Sequence, residues 1–214
     1  ISCNPPSNNR MRTVGPPFVD IDLRIAADGE ILVKGELVMQ GYWNMPDATA
    51  EAITDGWLHT GDIGEIDEQG HLKITDRKKD IIVNSGGDNI SPQRIEGFLD
   101  LQPEIAQSMV YGDRKPSITA LIVPDADFAG DWAAANGKPP DLASLVDDPD
   151  FRKAISAAID RVNENMSVIE RVRKFILSAE PFSIDNEMMT PSMKIRRHVI
   201  CGKYGAALEG LYAR

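Results

Sequence analysis

The sequence has few of the residues that hold metals or form disulfide bonds. Its 214 residues include 2 cysteines and 3 histidines, and Cys3 and Cys201 lie near opposite ends of the chain. The spacing fits neither a zinc site nor a disulfide framework. We therefore predict no metal site and two free thiols, as expected for a cytoplasmic protein in a reducing compartment.

Long apolar runs and an excess of positive charge are also missing. No hydrophobic segment approaches the ~20 residues that a membrane helix needs. The net charge is −10, whereas a nucleic-acid-binding protein normally has a basic face. The acidic balance also disfavours strong docking on anionic lipid. Nucleic acid is therefore not a predicted partner.

The first part of the chain has the alternation and the turn signals of a small β structure. Apolar and charged residues alternate over residues 19–24, and an Asp-Gly turn precedes the apolar run 31–33. Residues 36–40 extend the β pattern, and a second hairpin is predicted over residues 63–74. These segments predict a small distorted barrel or sheet.

The second part mixes helical and strand patterns. Ser91 and Pro92 are typical of an N-cap and a first helical residue. The apolar runs 106–111 and 118–123 suit strands that are covered on both faces. A strong amphipathic helix is predicted from Asp150.

A run of five charges, DRKKD at residues 76–80, separates the two parts. A charged break between two strand-like segments is a natural place for the chain to swivel. The predicted fold class is α+β: a small, mostly-β, barrel-like subdomain over residues 1–77, then a mobile α+β lid domain over residues 78–214 with a small sheet and packed helices.

Asp62 and Arg77 are candidate ligand-binding residues in the first part. The carboxylate of Asp62, next to Gly61, can accept hydrogen bonds from both hydroxyls of a ribose, although Gly-Asp is also a common turn. The guanidinium of Arg77 can hold a ribose oxygen or a phosphate. The commoner alternative is a surface ion pair with Asp76 or Asp80.

His59 is a weaker candidate. It could act as a general acid or base, but the sequence indicates no carboxylate that would orient its ring. We favour packing of His59 against Trp57.

Two candidate sites lie in the second part. Ser85, Gly86 and Gly87 form a turn without the glycine spacing of a nucleotide phosphate loop, so it is either an ordinary turn or a bare backbone strip for a thin ligand arm. Lys194 follows Pro191 in a loop. Its ammonium could stabilise negative charge in a reaction or belong to a solvated basic cluster.

Together these motifs have an order and a spacing that resemble the C-terminal third of acyl-adenylate-forming enzymes, in particular the long-chain fatty acyl-CoA synthetases. The motifs are GEL and GYW at 35–37 and 41–43, TGD at 60–62, DRKKD at 76–80, SGGD at 85–88, SP at 91–92 and PSMK at 191–194. Each is weak alone, but the combination is specific and covers nearly the whole chain.

The resemblance implies an AMP-forming ligase. It would convert a fatty acid and MgATP to an acyl-adenylate and then transfer the acyl group to coenzyme A. Asp62 would hold the ribose hydroxyls with help from Arg77, and Lys194 would stabilise the adenylation transition state. Lys79 would be the hinge of the lid, and the turn 85–87 would border the pantetheine path.

The resemblance also implies what lies elsewhere. The resemblance implies that residues 1–77 are the C-terminal remnant of a large adenylate-forming domain. The sequence contains no phosphate loop, so the missing N-terminal part of that domain would bind most of the ATP phosphates and Mg²⁺ and would be the intramolecular partner of this chain. We expect the chain to be a fragment, because it begins with Ile1, and to be inactive alone. Peripheral membrane contact of the full enzyme is left open.

Three departures from the commonest family pattern favour the long-chain branch. Met193 replaces a glycine before the final lysine, and residues 125–165 add a helical segment. After the glycine turn, many relatives have Pro-x-Glu-Ile-Glu where this chain has PQRIE at 92–96, so Arg94 replaces a glutamate. Two alternatives remain. One is a non-catalytic lid or interaction module, and the other is a ligase that loads a carrier protein instead of coenzyme A.

Overall fold

The computed structural model describes residues 1–213, which form two compact units. The first is Ile1–Ile81 and the second begins at Ile82. The sequence placed the boundary after residue 77, at the start of a 3-10 turn over Lys78–Asp80. Whether the first unit is the remnant of a larger domain stays a prediction.

The first unit is built on an antiparallel five-stranded sheet. Its strands have the order β1-β2-β4-β3, and β5 also pairs with β4. The elements are β1 (Asp22–Ile25), β2 (Glu30–Lys34), α1 (Pro46–Ala52), β3 (Ile53–Thr54), β4 (Trp57–Ile66) and β5 (Leu72–Arg77), preceded by a 3-10 turn over Pro6–Asn8. Within the described residues the sheet is open and does not close into a barrel.

Two strand predictions in this unit need correction. β1 starts at Asp22 and not at residue 19, because Asp20 has a φ of 65°, which no strand residue adopts. Residues 36–40 are not a strand. The Val38 N–H donates to the Gly35 carbonyl, so the chain turns out of the sheet after β2. The predicted hairpin of β4 and β5 is confirmed.

The second unit has a three-stranded sheet with helices on both faces. The strand order is β10-β9-β8, with β10 parallel and β8 antiparallel to β9. The elements are β6 (Ile82–Val83), β7 (Asn89–Ile90), α2 (Pro92–Leu99), β8 (Ile105–Tyr111), β9 (Ile118–Pro124), α3 (Ala126–Ala135), α4 (Leu142–Leu145), α5 (Pro149–Glu164), β10 (Val172–Leu177) and α6 (Arg197–Gly210).

The central strand β9 is buried on both faces, as its apolar run predicted. Ala120 and Ile122 point into a core that includes residues of α2, α3 and α5. Leu121 and Val123 point to the other side, into a core that includes residues of α6. This alternation follows from the two-residue period of a strand. The α+β class is thereby confirmed.

The helix starts follow local capping. The Ser91 side chain accepts a hydrogen bond from the Arg94 amide, and Pro92 is the first residue of α2, as predicted. Helix α5 begins at Pro149, one residue before the prediction, because Asp148 and not Asp150 is the cap. None of the helices in residues 1–213 has the length and apolarity required to cross a lipid bilayer.

Candidate functional site

Asp62 and Arg77 form a pair across two neighbouring strands. They are directly opposite in the register of β4 and β5, and the Arg77 Nε lies 2.7 Å from Asp62 Oδ1. The side chains are 25% and 51% exposed, so both can be reached from solvent. The structure therefore brings together the two residues that the sequence selected as ribose ligands.

The pairing partner of Arg77 differs from the surface alternative that the sequence offered. That alternative placed Asp76 or Asp80 beside the guanidinium, but the ion pair is with Asp62. Asp76 is buried, and its side chain accepts a hydrogen bond from the Arg77 amide. Alternation along β5 is the reason, because it puts neighbouring residues on opposite faces of the sheet.

The backbone that precedes Asp62 is fixed by two side chains. The Thr60 hydroxyl donates to the Ile31 carbonyl at 2.7 Å and accepts from the Asp62 amide at 3.1 Å. The Gly61 N–H donates to Glu30 Oε1 at 3.0 Å. Gly61 has a φ of +70°, and a Cβ built there would have no atom within 4 Å. The space beside Gly61, the residue directly before Asp62, is therefore open.

Glu30 is the residue of this site that the sequence missed. It is 3% exposed, although it is charged, and it lies at the start of β2. Burial works to raise its pKa, but hydrogen bonds from His59, Lys78 and Gly61 outweigh burial and lower the pKa. The only signal in the sequence is its position, directly before the apolar run 31–33.

His59 has the orienting carboxylate that the sequence did not indicate. Its Nδ1 lies 3.0 Å from Glu30 Oε2, and its side chain is 35% exposed. The ring is therefore held in one orientation by a buried acid. The absence of such an acid was the argument for treating His59 as a packed neighbour of Trp57, and that argument is wrong.

The charged turn after β5 contains two lysines in different situations. Lys78 Nζ contacts Asp28 Oδ2 at 2.7 Å and Glu30 Oε2 at 2.9 Å. Lys79 is exposed and has no ion pair within residues 1–213. The boundary between the two units follows two residues later, at Ile81.

The glycine turn closes the short hairpin of β6 and β7. The Asn84 Oδ1 accepts the amides of Gly86 and Asp88, and Gly87 adopts a φ of +87°. The Ser85 amide donates to the Lys115 carbonyl. The strip is thus exposed, and it is held by hydrogen bonds within the turn and by one to Lys115. It is compatible both with an ordinary turn and with a surface for a thin ligand arm.

Lys194 lies in a tight loop before α6. The Thr190 amide donates to the Lys194 carbonyl at 2.8 Å, and the Lys194 amide donates to Thr190 Oγ1 at 3.1 Å. The backbone of the lysine is therefore fixed, while its side chain is exposed. It makes neither a hydrogen bond nor an ion pair with the glycine turn in the described part of the chain.

Met193 occupies a position that favours glycine. Its φ is 60°, in the left-handed region that residues with a Cβ rarely adopt. This backbone angle gives a physical reason why many members of the family that the sequence resembles have a glycine directly before the residue that matches Lys194. The loop here keeps its shape with a methionine, whose side chain is 66% exposed.

A buried ion pair anchors the chain just after Lys194. Arg197, the first residue of α6, pairs with Glu96 of α2 and also donates to the Val110 carbonyl. The Val110 amide donates to Glu96 Oε1 at 2.8 Å. Burial nevertheless raises the pKa of Glu96 to about 7. No motif in the sequence indicated this pair, because its members are 101 residues apart.

No set of three or more histidine, cysteine, aspartate or glutamate side chains suited to hold a metal ion occurs in residues 1–213. The candidate residues Asp62, Arg77 and Lys194 carry a carboxylate, a guanidinium and an ammonium group, which can pair with hydroxyl and phosphate oxygens.

Comparison with known proteins identifies the second unit. The family model described as "AMP-binding enzyme C-terminal domain" matches residues 79–214. The chain is 43% identical over 205 residues to the long-chain-fatty-acid–CoA ligase FadD15 of Mycobacterium tuberculosis, with 95% of this chain and 34% of the ligase aligned. It is 37% identical over 190 residues to human long-chain-fatty-acid–CoA ligase 1, with 87% of this chain and 27% of the ligase aligned.

A solved structure shows the same fold. The chain resembles the A domain of carboxylic acid reductase from Segniliparus rugosus, in complex with AMP and a co-purified carboxylic acid, with 25% identity and a TM-score of 0.76. The alignment covers 94% of this chain and 32% of that one. The chain thus spans about a third of the length of the relatives that it matches.

Proposed function

The chain belongs to the AMP-binding enzymes, and from this we propose that it is the C-terminal part of a long-chain fatty acyl-CoA synthetase. The whole enzyme would form an acyl-adenylate from a fatty acid and MgATP and then transfer the acyl group to coenzyme A. The observation on which the proposal depends most is the solvent-accessible pair of Asp62 and Arg77.

The first unit would bind the nucleoside. Asp62 uses one carboxylate oxygen for Arg77, and its other oxygen can accept a hydrogen bond from a ribose hydroxyl. Arg77 contacts Asp62 through its Nε. A guanidinium carries further N–H donors, and these suit a ribose or phosphate oxygen. The pair thus offers an acceptor and several donors at one place.

The second unit would supply positive charge during adenylation. When the fatty acid carboxylate attacks the α-phosphate, negative charge increases on the phosphate oxygens. Lys194 has a fixed backbone, and its ammonium makes no ion pair among residues 1–213, so it can stabilise that charge. Mg²⁺ would shield the pyrophosphate that leaves, and its ligands would come mainly from the N-terminal domain.

Lys79 would allow the second unit to rotate between the two reactions. It follows the anchored part of the first unit, and it carries no ion pair that must break, so far as residues 1–213 show. After rotation, Ser85, Gly86 and Gly87 would border the pantetheine arm of coenzyme A. The observation that favours this role is that residues 85–87 form an exposed strip without large side chains.

Coenzyme A is favoured over a carrier protein as the acceptor, because the aligned relatives with 43% and 37% identity are named as CoA ligases. A cytoplasmic location stays a prediction from the sequence, and so does the inactivity of the 214-residue chain alone. Peripheral membrane contact of the full enzyme stays open.

The test is Lys194→Ala in the full-length enzyme that contains this chain. ATP–pyrophosphate exchange should fall by about 10²–10³-fold, because a preorganised charge at the transition state is lost. Thioester formation from a chemically prepared acyl-adenylate and coenzyme A should be retained. Lys153→Ala, an exposed lysine of the same unit that pairs with Asp150, is the matched control.

Equal activity of Lys194→Ala and wild type in both half-reactions would contradict the proposal and support a non-catalytic lid. Thioester formation on a carrier-protein thiol but not on free coenzyme A would support the carrier-loading alternative. Robust exchange by the isolated chain would refute its expected inactivity.

A further inference from the structure

Glu30 joins the two segments that surround the candidate nucleotide site. Its Oε1 accepts the amide of Gly61, the residue before Asp62. Its Oε2 accepts from Nζ of Lys78, the residue after Arg77, at 2.9 Å. One buried carboxylate is therefore bonded to the immediate neighbour of each member of the Asp62–Arg77 pair.

The arrangement is held by several donors and is stable as a charged group. A buried carboxylate is costly unless its oxygens are satisfied, and Glu30 has three donors, from His59, Gly61 and Lys78. Asp28 gives Lys78 a second carboxylate at 2.7 Å. The lysine ammonium therefore bridges two acids of the β1–β2 hairpin end.

The two consecutive lysines differ in this respect. Lys78 is bonded to the body of the first unit through two ion pairs, whereas Lys79 has none among the described residues. A backbone rotation that began at Lys78 would have to break both pairs. A rotation that began at Lys79 would break neither.

We propose that Glu30 is a positioning residue that, through Lys78, fixes the stationary end of the hinge and limits rotation to Lys79 and the residues after it. The same carboxylate keeps Asp62 and Arg77 in register while the second unit moves. This inference rests on the proposed function for its role in catalysis, but the tether itself can be measured without activity.

The alternative is that Glu30 only stabilises the fold. In that case its replacement lowers the stability of the first unit without changing where the chain opens. Trypsin distinguishes the two cases, because it cleaves after either lysine only when that lysine is released and its backbone is extended.

The experiment is limited trypsin digestion of the 214-residue chain, with early products 1–78 and 1–79 quantified by intact-mass spectrometry. Glu30→Gln and Asp28→Asn should each raise the ratio of cleavage after Lys78 to cleavage after Lys79 by about fivefold, by weakening the ion pairs of Lys78. Residues 77–80 are identical in all variants, so the ratio reports the tether and not protease preference. Glu65→Gln, which removes the partner of Lys73 on the same hairpin, is the matched control.

An unchanged ratio in folded Asp28→Asn and Glu30→Gln would overturn the proposal. If Glu30→Gln does not fold, Glu30→Asp replaces it, because the shorter side chain keeps a carboxylate at this position but withdraws it from Nζ of Lys78. An unchanged ratio in folded Glu30→Asp would then overturn the proposal.

A second readout uses the full-length enzyme. Lys78→Met should slow the coupled synthesis of acyl-CoA by about threefold to tenfold, while each half-reaction measured separately changes less, because the defect lies in the motion between them. Equal slowing of all three rates would contradict a hinge role. The two proposals can fail separately. If Glu30→Gln changes the cleavage ratio but Lys194→Ala adenylates at the wild-type rate, the proposed function is refuted and the tether is supported.

Discussion

In each unit a buried glutamate lies near a candidate site residue, Glu30 in the first unit and Glu96 in the second, and the pKa values of these two acids shift in opposite directions. Glu30 is 3% exposed and Glu96 is 7% exposed. The pKa of Glu30 is lowered despite its burial, because His59, Lys78 and Gly61 all donate to it. The pKa of Glu96 is raised to about 7, because burial outweighs the donors from Arg197 and Val110.

The difference shows that burial alone does not set the charge of an acid. The number of donors and the access of water to the partner decide it. Lys78 is 46% exposed, whereas Arg197 is 20% exposed. The ion pair in the second unit is therefore more enclosed, and the second unit is more sensitive to the loss of the cationic partner.

The largest expected change in the free energy of unfolding comes from replacing the cationic partner of one of the two buried glutamates. Arg197→Ala should destabilise the second unit by about 3 kcal/mol at pH 8, because a buried carboxylate loses its partner. Lys78→Met should destabilise the first unit by about 1 kcal/mol or less, because the lysine is half-exposed and Glu30 keeps two donors. Urea unfolding followed by a single tryptophan in each unit, Trp132 or Trp57, measures both.

Trp132 reports the second unit because its ring packs on Phe151 with centroids 5.1 Å apart. Trp43 is replaced by phenylalanine in both reporters, together with whichever of Trp57 or Trp132 is not being read. Equal destabilisation by the two substitutions would show that the enclosed and the half-exposed pairs do not differ in the way described.

A smaller effect is expected from pH. The folded-state pKa of Glu96 is raised, so its contribution to stability is fully present below its unfolded value near 4.5 and is lost as the pH rises towards 7. The second unit should therefore be less stable at pH 8 than at pH 5.5, by about 1–3 kcal/mol. Burial also raises the pKa of Asp100, to about 6, so Asp100 adds a smaller loss of stability in the same direction.

Thermal unfolding followed by the fluorescence of Trp132 at several pH values tests whether the stability of the second unit falls as the pH rises. Glu96→Gln should flatten the dependence between pH 5.5 and 8, although the variant is less stable throughout because Arg197 loses its acid. A stability of the second unit that rises over this range in wild type would show that the ion pair with Arg197 outweighs burial.

Local patterns were sufficient to predict most of the second unit. The apolar run of β9, the serine cap of α2 and the periodicity of α5 are each determined by neighbouring residues, and the structure has all three. The first unit was predicted less well. Residues 36–40 were predicted to be β but are not a strand, because the chain turns out of the sheet at Gly35. An alternating β pattern does not reveal that turn.

Some residues of the candidate site could be selected from the sequence, whereas the contacts between them could not. Asp62 and Arg77 could be selected from their chemistry and from the family resemblance, but their 2.7 Å contact depends on the pairing register of β4 with β5. Glu30 and Lys78 are 48 residues apart. No sequence pattern singles out Glu30, and Lys78 is one charge in a run of five. Only the fold brings these two together.

The most direct test of the account is nucleotide discrimination by Asp62. In the full-length enzyme, the ratio of kcat/KM for ATP to that for 2′,3′-dideoxy-ATP should be at least about 10² in wild type, because a site built for hydroxyls rejects an analogue without them. In Asp62→Ala the ratio should fall to within about tenfold of unity. A ratio that stays at its wild-type value in Asp62→Ala would contradict the assignment of this carboxylate to the ribose.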